Sequence, residues 1–221
     1  MIKKLLINII LILVGVPILL VTSLKFINPP VWGWQISRTF FPPESYPDTV
    51  LHSWVPIEGI SPDMALAVIA SEDQQFTNHY GIDVSSTINA LTENNGSSIR
   101  GASTITQQTA KNVLLFPSQT YVRKAYELYI ALLMELILGK QRIMEVYLNV
   151  IEFGPGIYGV EAASQFYFGR SANELSQVQC AQLAVVLPNP YRIRPMPATT
   201  YVQQRTNWVV QQMNNLGSIP L

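Results

Sequence analysis

Ser61-Pro62-Asp63-Met64-Ala65-Leu66-Ala67-Val68-Ile69-Ala70-Ser71-Glu72-Asp73 runs directly into Gln74-Gln75-Phe76-Thr77-Asn78-His79-Tyr80-Gly81. A serine cap, proline at the first helical position and the apolar run Ala65, Leu66, Val68, Ile69 predict a helix that starts near residue 62. The carboxylate pair Glu72-Asp73 closes that run, and a ring, an imidazole and a glycine follow it. Ionisable groups therefore stand where a helix gives way to a loop, in a chain of 221 residues of which only 13% are charged. Carboxylates at such a junction suit general acid/base work.

Outward from this stretch the helical pattern continues. Residues 120–139 carry apolar groups at Val122, Ala125, Tyr129, Leu132, Leu133, Leu136 and Ile137, with a glycine stop. Further helices are predicted over 141–150, 160–168, 176–187 and 201–216, and Ser176 with Gln179 has capping-box spacing. No internal repeat and no sustained alternation of a strand pattern is present. The expected fold is mainly α, with a compact helical domain over residues 62–221.

The front of the chain reads differently. Residues 5–24 hold no charge and are rich in Ile, Leu and Val, and about 20 apolar residues in a helix cross a bilayer core. Lys3 and Lys4 precede the run and Lys25 follows it, which points to an N-in orientation with the bulk of the chain outside. The run exceeds the ~7–15 residues of a signal-peptide core, and Val21-Thr22-Ser23 is a poor cleavage site, so residues 1–27 read as a cytoplasmic tip and uncleaved transmembrane anchor, with Pro17 as a tolerated kink. Residues 28–61 form a connecting arm in which six prolines alternate with aromatics. Such proline density favours extended backbone. Trp32 and Trp34, nearest the span, suit either a membrane-interface belt or packing onto the domain.

Several chemistries are excluded. The formal net charge is zero, which gives no electrostatic case for nucleic acid. The single cysteine, Cys180, has apolar neighbours and reads as a packed core thiol. His52 and His79 lack a second histidine at ligand spacing, which removes a zinc site. Gly154-Pro155-Gly156-Ile157-Tyr158-Gly159 imitates a dinucleotide fingerprint but follows a helix-like segment, so its glycines are turn residues. No Ser-x-x-Lys occurs, so a penicillin-binding acyltransferase centre is absent.

Two more stretches concentrate polar groups. Gly101-Ala102-Ser103-Thr104-Ile105-Thr106-Gln107-Gln108-Thr109-Ala110-Lys111-Asn112 places hydroxyls and amides at a glycine-led helix start, where free N–H groups favour anions, and Lys111 adds a cation. Arg123-Lys124-Ala125-Tyr126-Glu127 puts Arg123 and Glu127 four apart, on one helix face. Taken singly, each reads as an exposed helix start or a solvated ion pair.

Read together and in order, the three stretches resemble the peptidoglycan glycosyltransferases of glycosyltransferase family 51. Arg142-Ile143-Met144-Glu145-Val146-Tyr147-Leu148-Asn149, Gly159-Val160-Glu161-Ala162-Ala163, Tyr167-Phe168-Gly169 and Leu187-Pro188-Asn189-Pro190 extend the likeness over roughly residues 45–216. With no transpeptidase domain before Leu221, the chain looks like the monofunctional members. The resemblance implies a lysozyme-like helical domain with a smaller membrane-facing lobe, preceded by the transmembrane helix, on the periplasmic side of the inner membrane. It implies polymerisation of lipid II into β-1,4-linked glycan with inversion at the MurNAc anomeric carbon and release of undecaprenyl pyrophosphate. Partners so implied are lipid II, the lipid-linked glycan, the membrane and other cell-wall synthesis or division proteins.

By motif position Glu72 is then the general base and Glu127 the second catalytic carboxylate. A sugar hydroxyl is a weak nucleophile at neutral pH and benefits from an ionised carboxylate, whereas pyrophosphate needs charge stabilisation more than protonation. Ser103, Thr104, Gln107, Gln108, Lys111, Arg123 and Lys124 are suited to that second task. Asp73 and Glu127 either hold Mg²⁺ or another divalent cation against the phosphates or, for Glu127, orient the cations. Asp73, Phe76, His79 and Gly81 support the motif, as core ring, loop hydrogen bond and turn. Val113 to Phe116 either dip into the interface or pack as core. Many family members carry an arginine where this chain has Gln119, which supplies no charge. A lytic glycan-cleaving enzyme and a non-catalytic membrane scaffold are the competing readings.

Overall fold

The computed structural model of this chain describes residues 2–44, 46–85, 88 and 103–220. Among these residues the helices are, in chain order, α1 (Ile2–Leu24), α2 (Gly33–Phe40), α3 (Pro62–Glu72), α4 (Ile105–Leu114), α5 (Tyr121–Ile137), α6 (Gly139–Val150), α7 (Val160–Phe168), α8 (Gln177–Val186) and α9 (Thr200–Leu216). Three very short strands, β1 (Leu51–His52), β2 (Glu152–Gly154) and β3 (Ile157–Tyr158), form a sheet in the order β1-β3-β2. β1 runs parallel to β3 and β2 antiparallel to it. The mainly helical expectation holds, and the glycines at 154, 156 and 159 lie in and around the β2–β3 hairpin.

α3 buries Met64, Ala65, Ala67, Val68, Ile69 and Ala70, so apolar contact surrounds it and it sits in the core. It packs with α8 and α9, while α4 packs with α5, α6 and α2. The helix starts are chemically explicit. Thr104 accepts from the Gln107 N–H, Thr120 from the Arg123 N–H, and Ser176 with Gln179 closes the expected capping box. Ser61 departs from expectation: its side chain makes no cap hydrogen bond. Cys180 itself is fully buried, and burial pushes its thiol up to about 12.

The arm is less extended than its prolines suggested. Between Pro30 and Pro42 lies a proline-free window, and α2 fits inside it. Gly33 lets α2 lie close against the end of α4, because a Cβ there would stand 2.6 Å from the Leu115 carbonyl oxygen. Trp32 is not an interface residue: it is 1% exposed and meets His52 and Tyr158 edge-on or tilted. Of residues 113–116, Val113 and Leu115 are buried, Leu114 is half-buried and Phe116 is exposed.

α1 forms over its expected length, although among the described residues no helix is both long and apolar enough to cross a membrane. Pro17 lies inside it and lacks the N–H that would bond the Leu13 carbonyl four residues back. The Tyr126 hydroxyl of α5 donates to that carbonyl at 2.9 Å, and Tyr129 donates to Val14 O at 3.1 Å.

α6 gathers the other pieces. Arg142 donates to Leu24 O, Ile27 O and Asn28 Oδ1 at the foot of α1. Asn149, fully buried, accepts from the Val55 N–H and donates to Val55 O, both at 2.9 Å. Asn149→Ala would leave the Val55 pair unsatisfied at a cost of about 2–3 kcal/mol. Urea unfolding should show that loss, and a change below ~0.5 kcal/mol would refute the pinning role.

Candidate active site

α3 stops because Asp73 leaves helical geometry, at φ −159° and ψ 74°, and its carboxylate is spent on other groups. Asp73 Oδ2 accepts from the Ile105 N–H at 3.0 Å, an unpaired donor at the N-terminus of α4. His79 Nε2 lies 3.0 and 3.1 Å from the two oxygens of the same carboxylate. The Gly81 N–H donates to His79 Nδ1, so in the neutral ring Nε2 carries the proton and donates to Asp73. Thr104 returns the connection by donating to Gly81 O at 2.7 Å. Gly81 has φ +80°, and a Cβ there would press on Glu135 and the Ala131 carbonyl, which fits glycine's freedom. Phe76 is fully buried beneath the Lys140 ammonium, 4.4 Å from the ring centroid. Asp73, Phe76, His79 and Gly81 thus form the scaffold of the loop.

Glu72 lies beside this scaffold on a cavity of about 320 Å³ lined also by Asp73, Gln74, Ser103, Thr104 and Trp208. Gln108 donates to Glu72 Oε2 at 2.9 Å, and that amide is its one hydrogen-bond partner among the described residues. Burial raises the Glu72 carboxyl above its ordinary value; the Gln108 bond and the charges of Arg205 and Lys111 oppose the rise, and Asp73 adds to it.

Glu127 keeps different company. It is buried, Arg123 Nη1 donates to one of its oxygens and Lys124 Nζ to the other, each at 2.5 Å. Lys124 also donates to Ser103 Oγ and Gln107 Oε1, both at 3.2 Å. The adjacent residues Gln107 and Gln108 of α4 therefore serve opposite carboxylates, one through Lys124 and one directly.

Lys111 completes the group from the C-terminal half of α4. Its ammonium stands 5.2 Å from the Trp34 ring centroid and has no hydrogen-bond acceptor among the described residues. Burial lowers its pKa, Glu127 opposes that shift, and Arg123 and Lys124 reinforce it. Three cations thus surround one carboxylate, and an arriving dianion would relieve their repulsion. Gln119 lies in the exposed loop between α4 and α5. Gly101 and Ala102 fall outside the described residues, so the glycine-led start reads here only from Ser103 onward.

Asp73 and Glu127 do not fit a shared divalent cation, because their oxygens are taken by His79 and Ile105 N–H in one case and by two cations in the other. Among the described residues no group of three or more His, Cys, Asp or Glu is placed to hold a metal.

Some members of the site escaped the sequence reading. Trp34, under Lys111, also donates its indole N–H to buried Glu152 at 3.3 Å. Arg205 sits 3.7 Å over the Trp208 ring and acts on Glu72 from α9. Tyr147 donates to Gln108 Oε1 at 3.1 Å. Only Tyr147 had a signal, its place in the stretch 142–149.

The chain belongs to the transglycosylase family, whose sequence pattern matches residues 44–214. Among its relatives, the biosynthetic peptidoglycan transglycosylase of Vibrio parahaemolyticus serotype O3:K6 is 59% identical over 221 residues, covering 99% of this chain and 98% of that protein. The Shewanella oneidensis protein of the same name is 49% identical over 205 residues, with 92% and 88% covered. That of Aeromonas hydrophila is 49% identical over 202 residues, with 91% and 86% covered.

If Asp73 is the scaffold residue described, Asp73→Ala strands the Ile105 N–H and the His79 ring together. A loss of about 2–3 kcal/mol is expected, seen as a fall of several degrees in Tm by circular dichroism. An unchanged Tm would contradict the assignment.

Proposed function

We propose, for this peptidoglycan glycosyltransferase of cell wall synthesis, that Glu72 is the general base and that Lys111, Arg123 and Lys124 hold the pyrophosphate of a lipid-linked donor. The observation that carries the division is the contrast between the two carboxylates. Glu72 has a neutral amide for a partner and a raised pKa, so it is a stronger base than an ordinary glutamate when ionised. Glu127 is neutralised by two cations, and its task is to orient them. The 4-hydroxyl of the acceptor lipid II attacks the MurNAc anomeric carbon of the donor chain while its proton passes to Glu72. The bond from that carbon to pyrophosphate breaks with its electron pair on the leaving oxygen. Ser103, Thr104, Gln107 and Gln108 line or order this region. The same cluster disfavours the glycan-cleaving reading, since a neutral leaving sugar gives three cations nothing to bind.

The membrane attachment is part of this reading. Residues 5–24 carry no charge, and 20 helical residues rise about 30 Å, the thickness of the hydrocarbon core. Leu11, Ile12, Leu13, Leu19 and Leu20 are exposed along α1, which suits lipid contact. Exposed Phe40, Phe41, Phe116 and Val122 suit the membrane surface, where the small lobe would meet a lipid-linked substrate. Lys3 and Lys4 favour an N-in orientation with the site outside the cytoplasmic membrane.

Incubated with lipid II in detergent, the protein should lengthen lipid-linked glycan, and Glu72→Gln should slow this by about 10²–10⁴-fold while remaining folded. A well-folded Gln variant with full activity, or shortened preformed glycan with lipid II untouched, would overturn the reading. Because the base must be ionised and its pKa is raised, kcat/KM of the wild type should fall as pH drops through a value above the ordinary 4.5. Lys111→Ala should raise the donor KM roughly tenfold with a smaller change in kcat, and unchanged donor saturation would remove Lys111 from the pyrophosphate site.

A further inference from the structure

The Tyr147 side chain is wholly buried on α6, and its hydroxyl makes one hydrogen bond among the described residues, to Gln108 Oε1 at 3.1 Å. The other end of the Gln108 amide donates to Glu72 Oε2 at 2.9 Å. A glutamine amide has two orientations of nearly equal shape, which exchange its oxygen and its NH₂ group. Only one of them is useful here. With the amide turned over, its oxygen would face the Glu72 carboxylate, acceptor against acceptor, and the Tyr147 proton would have no acceptor in a place closed to water.

We propose that Tyr147 is a positioning residue for the glycosyl transfer: it fixes the orientation of the Gln108 amide, which in turn holds Glu72 in place. The inference rests on Glu72 as the base. Burial pushes the Tyr147 phenol well above its ordinary range, with Glu72 and Asp73 adding to the rise, so the hydroxyl keeps its proton throughout the working pH range. An acceptor-only carboxylate at one end of the amide and a protonated phenol at the other together favour the orientation with the NH₂ group toward Glu72. The hydrogen-bond chain from Tyr147 through Gln108 to Glu72 then polarises in one direction, toward the carboxylate. α6 thereby acts on Glu72 through a side chain of α4.

Tyr147→Phe removes only the hydroxyl from a packed ring, so the fold should survive. In lipid II polymerisation kcat should fall about tenfold, with donor and acceptor KM within about twofold of wild type. In a Gln108→Ala background the same substitution should cost no more than about twofold, because its target is gone. A full kcat in Tyr147→Phe, or an equal loss with and without Gln108, overturns the proposal. Gln108→Ala alone provides a second measurement that does not require the Tyr147 variant to fold: its kcat should fall at least tenfold, and a wild-type kcat overturns the relay as well. The two levels separate cleanly. An active Glu72→Gln removes the base, whereas additive Tyr147 and Gln108 losses beside an inactive Glu72→Gln remove only the positioning role.

Discussion

The carboxylate of Asp73 joins the end of one helix to the beginning of another, and the rest of the site is hung from that junction. Its oxygen accepts the Ile105 N–H of α4 while His79 holds the carboxylate from the side. An anionic group at a helix N-terminus is favoured both by the unpaired N–H and by the helix dipole. The consequence is geometric. α3 delivers Glu72 and α4 delivers Gln107, Gln108 and Lys111 in a fixed relation, although some thirty residues separate the two helices in sequence. The adjacent pair Glu72-Asp73 is accordingly asymmetric: one carboxylate is consumed by structure so that its neighbour remains available.

That asymmetry repeats across α4. The two glutamines turn to opposite sides, and the environments they help to create differ in charge and not in residue type. On one side an acid meets an amide in a buried setting; on the other an acid meets two cations, with a third nearby. Two chemically identical groups are thereby held in different electrostatic environments within one site.

Much of this was legible in the sequence because it is local. The capping box at Ser176, the core character of α3 and the burial of Cys180 follow from neighbours within a few residues, and they formed as the spacing indicated. The named motifs supplied Glu72, Gln107, Gln108, Lys111, Arg123, Lys124 and Glu127, which do come together. What the chain concealed depends on contacts between distant segments. Trp34 lies in a proline-rich arm, and nothing in its surroundings announces that its ring will rest under Lys111. Proline density around residues 28–61 argued against helix, yet the window that α2 needs is short enough to fit between two prolines. Ser61 satisfied the pattern of a cap, but its side chain makes no cap hydrogen bond. Arg205 had no signal, since its relation to Glu72 exists only after α9 returns to α3.

Pro17 removes one backbone donor from α1, and the carbonyl left over at Leu13 is the one that Tyr126 finds. A uniform helix offers the same surface at every turn and can be gripped at any height. The missing bond leaves α1 with a carbonyl that no helical N–H occupies, and Tyr126 of α5 bonds it while Tyr129 bonds the next one along, at Val14. The proline therefore acts as a graduation mark between α1 and α5; displacing α1 by one turn would take Tyr126 away from the carbonyl that Pro17 leaves without a helical donor.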